Sequence, residues 1–448
     1  MTIPSVISMR DVSSGEPAGT RPYAHRMRVL HVSWEYPPMV YGGLGRHVHS
    51  LAEAQAARGD EVIVLTQSAG VETVRETLDG VDIVRVPHDP PALEFTEANL
   101  LAWVLGMQTA LIRVGSSLGH VDVIHAHDWV SAHAAIALRP ILSADALLST
   151  IHATEAGRHQ GWLPGPLSEA IHDIEHWLVH TSDRIIVCSH HMRREVEQLF
   201  DINPPQDHID VIANGIDLRR WRTTAAQAAQ AREAHAAHGP LVVFVGRLEW
   251  EKGAHTLIEA LPELRRRAPG LRAVVAGRGG HAQALEALAK ERRVTDSVDF
   301  VGWLPDTHLH ALMAAADALV LPSLYEPFGL VSLEGAALGT PLVVARTGGL
   351  AEFVIDDVTG RTFTPGDPAA LADAVMSTLD NPDDAQRMAH VARERLRSDH
   401  DWAGLAARTD DAYLRARAPE SEEITRRRAQ PIPAPRGAAD RTINLLGR

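Results

Sequence analysis

A chain of 448 residues, 45% hydrophobic and 22% charged, is long enough for two or three domains with full cores and reads as globular. Its formal charge of −14 at pH 7 argues against a general nucleic-acid binder, in which basic faces dominate. A single cysteine, Cys188, excludes an internal disulfide and any cysteine-based zinc site; at the end of an apolar strand it reads as a buried core thiol.

Residues 1–26 mix Pro, Ser, Gly and charge with no apolar run of signal-peptide length. They are expected to be a disordered leader, with Met27 an alternative start and the protein cytoplasmic. No window approaches a membrane span. Residues 28–33 read as a buried strand. The loop Trp34-Glu35-Tyr36-Pro37-Pro38-Met39-Val40-Tyr41-Gly42-Gly43-Leu44-Gly45 follows, then a helix over 46–58 that stops at Gly59. Gly42 and Gly43 sit where a backbone could close against a ligand, but so long a loop is not the tight dinucleotide-binding turn. Strands at 61–66, 82–86, 121–126, 146–151, 184–188 and 209–212 then alternate with helices, including 99–114, 168–180 and 191–200. The pattern is that of a doubly wound α/β domain over 27–213. The charge-free stretch 99–112 fits a buried helix, with a lipid- or acceptor-facing helix as the alternative.

Polar residues gather where these strands end, at His125-Ala126-His127-Asp128-Trp129 and His152-Ala153-Thr154-Glu155. Ligands of such sheets bind at the carboxyl ends of strands. His125 and His127 are expected to point one to each face or toward the cleft. A zinc site would need a third ligand that the spacing does not identify, so no metal is assigned.

Asn214-Gly215-Ile216-Asp217 closes this domain, and residues 214–240 read as a linker ending in Gly-Pro. A second βα series, 241–395, has strands at 241–245, 272–276, 298–301, 318–321 and 341–345. Two such Rossmann-like domains in series leave a central cleft. Helices follow at 368–379, 383–397 and 402–417, and the terminal segment 396–417 is expected to cross back over the junction. Asp399-His400-Asp401 reads as an N-cap rather than a metal triplet. Residues 418–448, charged and proline-bearing, are expected to be a disordered tail.

Two stretches of the second domain carry chemistry. Gly246-Arg247-Leu248-Glu249-Trp250-Glu251-Lys252-Gly253 follows its first strand. Arg as a planar fork and Lys as a compact charge can together hold a diphosphate; the alternative is a pair of surface charges worth little. Only Lys252 and Lys290 are lysines among 43 basic residues, and Lys290 lies on a solvated helix face. In residues 319–334 a short strand ends, a turn carries Glu326, Pro327 and Gly329, and a helix starts near Leu330 with Glu334 inside it. Free N–H groups at that helix start suit a phosphate. A group with hydroxyls on both sides of a phosphate would fit between the two glutamates. A glycosidase-type acid/base pair is disfavoured, because only Glu326 lies in the loop and cations are close by. Glu334 has a plainer reading as a first-turn complement to the helix dipole.

Taken together, Gly42-Gly43, His125 to Trp129, Thr150-Ile151-His152, Asn214 to Asp217, Arg247 with Lys252, Glu326 through Glu334, and Gly348-Gly349-Leu350-Ala351-Glu352 resemble the retaining GT-B glycosyltransferases of family four, in the glycogen-synthase-like group. The resemblance covers residues 27 to about 417. Ser33-Trp34-Glu35-Tyr36-Pro37-Pro38 and His152-Ala153-Thr154-Glu155-Ala156-Gly157-Arg158 are similar to the α-1,4-glucosyltransferases of glycogen and methylglucose lipopolysaccharide synthesis.

The resemblance implies a fold of two facing Rossmann-like domains and transfer of glucose from a nucleotide-glucose to an α-1,4-glucan or related oligosaccharide. It implies that Gly42 and Gly43 approach the donor phosphates, and that Asp128 and His152 contact the transferred sugar. Arg247 and Lys252 would neutralise the leaving diphosphate with the N–H groups of Gly329 and Leu330. Glu326 would hold sugar hydroxyls and Glu334 the ribose. No metal and no other cofactor is implied. ADP-glucose-using bacterial glycogen synthases carry Lys-Thr-Gly-Gly-Leu where this chain has Val40-Tyr41-Gly42-Gly43-Leu44, so UDP-glucose stands beside ADP-glucose as donor. The alternatives are a family-four mannosyl- or hexosyltransferase acting on a lipid or small molecule, a pyridoxal-phosphate phosphorylase, which would need a free Schiff-base lysine, and an inactive sugar-nucleotide-binding module.

Overall fold

The computed structural model describes residues 26–90, 95–202 and 208–418. The expected leader, save Arg26, and the expected tail, save Ala418, lie outside the described residues. The first unit is an eight-stranded sheet: β1 (Arg28–Val32), β2 (Glu61–Ser68), β3 (Val74–Leu78), β4 (Val81–Pro87), β5 (Val123–His127), β6 (Ala146–Ile151), β7 (Arg184–Val187) and β8 (Ile209–Val211). Its order is β3-β4-β2-β1-β5-β6-β7-β8, parallel throughout except for the antiparallel pair of β3 with β4. The second is a six-stranded parallel sheet of β9 (Leu241–Val245), β10 (Arg272–Ala276), β11 (Val298–Gly302), β12 (Ala318–Leu321), β13 (Leu342–Ala345) and β14 (Arg361–Phe363), in the order β11-β10-β9-β12-β13-β14.

Strands such as β6 (ALLSTI) and β9 (LVVFV) are near-continuous apolar runs because helices cover both faces of a parallel sheet. Two strands escape that signal. β3 (VRETL) is an exposed, polar edge strand, and β14 has three residues whose place is set by pairing with β13. In each sheet the strand order reverses at one point, with β1 between β2 and β5, and β9 between β10 and β12. The loops leaving the carboxyl ends of β1, β5, β9 and β12 therefore stand at the two crevices where such sheets bind ligands.

Helix Leu100–Gly115 buries Trp103, Val104, Met107 and Leu111 against β2, β4 and helix Ala132–Leu142, in keeping with the buried-helix reading. Among the described residues no helix is long and apolar enough to cross a membrane. Within the expected linker, helix Ala225–Ala236 packs on helix Asp306–Ala315 of the second unit. Helix Trp402–Arg417 returns to the first unit. Its Leu405, Ala412 and Tyr413 join Val29, Val123, Leu148 and Ile186 in one core, and the Asp401 carboxylate caps it by accepting from the Ala403 and Gly404 amides.

The two units also meet directly. Ser189 Oγ donates to the Pro327 carbonyl at 2.7 Å, and the Tyr325 phenol donates to Glu195 at 2.8 Å. The Glu352 carboxylate accepts from the His190 and His191 amides, 3.0 and 2.7 Å away, at the start of helix His190–Leu199. A carboxylate there satisfies orphan N–H groups and complements the helix dipole.

Candidate active site

The loop after β1 is organised by a side chain that sequence reasoning missed. Glu35, buried, accepts from the amides of Tyr41 and Gly42 at 2.8 and 2.9 Å. Burial raises its pKa while these amides oppose the shift. The helix then starts at Gly43 rather than at 46, with extended Gly42 as its N-cap. A Cβ on Gly43 would stand 2.5 Å from Leu330 Cδ1, so this loop lies against the helix start of the other unit.

At the end of β5 the backbone of Asp128 adopts φ 60°, ψ 174°, a region otherwise left to glycine, and such strain clusters at functional sites. Its Oδ1 accepts from the His152 amide at 2.7 Å. Burial pushes its carboxyl up to about 7.

In the second unit the loops after β9 and β12 are laced together. The amide of Leu324 donates to the Glu251 carbonyl at 2.8 Å, and Gly253, at φ 68°, brings its α-carbon against the Pro322 carbonyl. This places Lys252 Nζ 2.9 Å from Glu326 Oε2, which also accepts from Ser323 Oγ at 3.1 Å. Arg247 pairs with Glu251 at 2.8 Å. Gly329, at φ 95°, ends the turn, and helix Leu330–Leu338 begins with N–H groups that have no intrahelical partner. Glu334 is buried in that helix and pairs with Arg46 of the first unit at 2.8 Å.

All the residues singled out from the sequence, namely Gly42, Gly43, Asp128, His152, Arg247, Lys252, Glu326, Gly329, Leu330 and Glu334, line one cavity of about 550 Å³ between the units. That volume suits a nucleotide-sized ligand. Arg46 and Arg158 line it too. Arg158 is half-buried, within the field of Asp128, Glu155, Glu251 and the Tyr325 phenol. Nothing in the sequence marked Arg46, and Arg158, although it ends the His152–Arg158 stretch that carries the resemblance, was given no role there. The cavity thus offers helix-start amides on one wall and cations and hydrogen-bond acceptors on both, which is what a diphosphate joined to polyhydroxylated groups requires.

Residues 41–220 match the family described as Glycosyltransferase Family 4, and residues 227–395 the one described as Glycosyl transferases group 1. Over 412 residues, 88% of this chain and 96% of the other, the sequence is 47% identical to a glycogen synthase of Mycobacterium tuberculosis. The chain belongs to the family 4, group 1 glycosyltransferases. It is also 33% identical over 401 residues to a D-inositol 3-phosphate glycosyltransferase of Frankia alni, covering 86% of this chain and 97% of that one. Among solved structures, the sucrose-phosphate synthase of Thermosynechococcus elongatus matches 87% of this chain and 98% of its own with a TM-score of 0.74 at 26% identity. The two facing sheets are the GT-B fold of this family.

Beneath the His152 side of this glycosyltransferase's cavity lies a cluster of imidazoles. His125 and His127 do not point to opposite faces; their ring centroids are 4.3 Å apart, because residues two apart in a strand share a face. His31 of β1 lies opposite His125 in the β1–β5 register, and its Nδ1 is 3.0 Å from His127 Nε2. His127 Nδ1 is in turn 3.2 Å from His152 Nε2. His47 Nδ1 bonds Asn214 Oδ1 at 2.7 Å, while its buried Nε2 has no hydrogen-bond partner among the described residues. The groups His31, His125, His127 and His47, His127, His152 each bring ring nitrogens within 4.8 Å, and among the described residues these are the side chains that could hold a metal.

Burial keeps the rings neutral, lowering His31 to about 4 and His47 and His152 to about 3. The unfolded chain takes up these protons near pH 6.5, so the stability tied to the neutral rings is full above that pH and is lost as pH falls toward 3–4. The loss is about 1.4 kcal/mol per pH unit for each ring that stays neutral. Buried carboxyls work the other way: Asp128 loses stability as pH rises from 3.8 to about 7, and Asp60, Glu175, Glu35, Glu334 and Asp410 are raised by burial too, but the histidines that burial holds low outnumber them. The urea midpoint is expected to fall between pH 7 and pH 5, and to fall less in His47→Gln. An equal fall in the two proteins would contradict the assignment.

Proposed function

We propose that this glycosyltransferase transfers glucose, with retention, from ADP- or UDP-glucose to an α-1,4-glucan or related oligosaccharide. The observation that carries the reading is the 47% identity, over 88% of the chain, to a protein named glycogen synthase. The inositol-phosphate relative, at 33%, weighs less. The gathering of Arg247, Lys252, Glu326 and Glu334 with Asp128 and His152 around one cavity supports it.

In this reading Gly42 and Gly43 let the loop backbone close on the donor phosphates. Arg247 and Lys252, with the amides at Gly329 and Leu330, receive the negative charge that grows on the diphosphate. Glu326 accepts from sugar hydroxyls while its other interaction with Lys252 holds both in place. Glu334 accepts from the ribose, and Asp128 and His152 from the transferred glucose. The bond from glucose C1 to the phosphate oxygen breaks with its electron pair going to the diphosphate. The acceptor hydroxyl oxygen bonds C1 from the same face, and its proton passes to the departing phosphate oxygen. Fixed positive charge in a site shielded from water is the main source of acceleration, so the reading calls for neither a metal nor a carboxylate nucleophile.

A transfer assay tests it, with labelled ADP-glucose, UDP-glucose and GDP-mannose each offered to maltooligosaccharides. Glucose transfer from one or both glucose donors is expected. Transfer from GDP-mannose alone would overturn the proposal.

A further inference from the structure

A continuous line of hydrogen bonds runs from the C-terminal helix to the cavity. The Asp410 carboxylate is held by Arg58 Nε at 2.8 Å and faces Gln55 Nε2 at 3.1 Å. Gln55 Oε1 is 2.8 Å from His31 Nε2. The line continues from His31 Nδ1 to His127 Nε2 at 3.0 Å, and from His127 Nδ1 to His152 Nε2 at 3.2 Å. Asp410, Gln55, His31 and His127 are all buried, and His152 lines the cavity.

Chemistry gives this line a direction. A carboxylate paired with a guanidinium only accepts, so the Gln55 amide must turn its NH2 toward Asp410. Gln55 Oε1 is then the acceptor left for His31, and His31 must carry its proton on Nε2. A neutral imidazole has one donor and one acceptor nitrogen. His31 Nδ1 therefore accepts, His127 donates from Nε2 and accepts at Nδ1, and His152 donates from Nε2. The neutrality this needs is the state in which burial holds these rings.

We infer that Asp410 and Gln55 are positioning residues that lock His152, through His31 and His127, in its Nε2–H tautomer, so that the nitrogen left for ligand is Nδ1, a pure hydrogen-bond acceptor. Its consequence for catalysis rests on the reading in which His152 meets the transferred sugar. Nδ1 accepts from a sugar hydroxyl beside the Asp128 carboxylate, and the subsite selects a group that donates. The tautomer itself does not depend on that reading.

Long-range proton–nitrogen correlation spectra of the full chain labelled with ¹⁵N-histidine read the tautomer, with His152 identified by its loss in His152→Gln. The wild-type spectrum is expected to show His152 as the Nε2–H form. Gln55→Met, which keeps volume but ends the line, is expected to mix the two forms and to lower kcat by about five-fold, the worth of one hydrogen bond. Gln55→Glu, whose carboxylate accepts from His31 directly, is expected to restore the wild-type tautomer. A wild-type His152 protonated on Nδ1, or a tautomer unmoved by Gln55→Met, would overturn the inference. The wild-type spectrum decides the first point even if a variant fails to fold. A tautomer that shifts as expected with kcat unchanged would leave the relay standing and remove His152 from contact with the sugar.

Discussion

Lys252→Ala is expected to lower kcat by about 10²–10³-fold while changing the melting temperature little. The magnitude is that of deleting one preorganised group facing charge that develops in a transition state. Lys252 is suited to that role because its ammonium sits at a strand end, with its side chain only 18% exposed and Glu326 at 2.9 Å. A half-buried cation in a cleft acts on a departing diphosphate far more strongly than a screened surface charge does. Removing it leaves the Glu326 carboxylate without its cation, but that carboxylate still accepts from Ser323 and opens on the cavity, so the fold tolerates the change. Steady-state kinetics beside a thermal melt check this. A variant that kept more than about a third of wild-type kcat would place the diphosphate elsewhere, because so small a loss is less than one such group supplies.

Gly253→Ala is expected to cost at least as much activity and, unlike Lys252→Ala, to destabilise the protein. The residue has φ 68°, and a Cβ would lie 1.9 Å from the Pro322 carbonyl oxygen, backbone that has no rotamer to yield. The strain of a left-handed alanine alone is about 1 kcal/mol. The clash must also part the loops after β9 and β12, which the bond from Leu324 N to Glu251 O holds together, and so it separates Lys252 from Glu326. A fall in melting temperature of about 5 °C is expected, in the range that a loss of about 2 kcal/mol gives a domain of this size. Gly59→Ala is the control, since Gly59 also has positive φ, 106°, but a Cβ there meets nothing within 4 Å. If the two variants proved equally mild, the close approach of these loops would not be what positions the site.

Much of this architecture was legible because parallel strands buried on both faces must be apolar runs, and those runs stand out between amphipathic helices. The strands that were not legible, β3 and β14, owe their conformation to a neighbouring strand rather than to their own residues. The site was legible where chemistry is local. Gly246 to Gly253 carries its glycines, cations and carboxylates within one loop, Pro322 to Leu330 its carboxylate and glycine within another, and both loops reach the cavity. What the sequence could not display were pairings between distant segments. Glu334 meets Arg46, Glu352 meets the start of helix His190–Leu199, and Gln55 meets Asp410, each joining residues more than 150 positions apart. The histidine cluster shows both cases. The shared face of His125 and His127 follows from a spacing of two and was misjudged, whereas their neighbours His31 and His47 arrive through strand register and helix packing that no local pattern encodes.

In the proposed mechanism, fixed cations in the loop after β9 drive transfer of glucose from a nucleotide-glucose with its anomeric configuration kept. The configuration of the first product tests it most directly. With the α-glucosyl nucleotide that proves active and a short maltooligosaccharide, proton NMR of the newly formed anomeric centre is predicted to show an α-1,4 linkage one glucose longer than the acceptor. A β-linked product, or release of free glucose with no elongated acceptor, would contradict it.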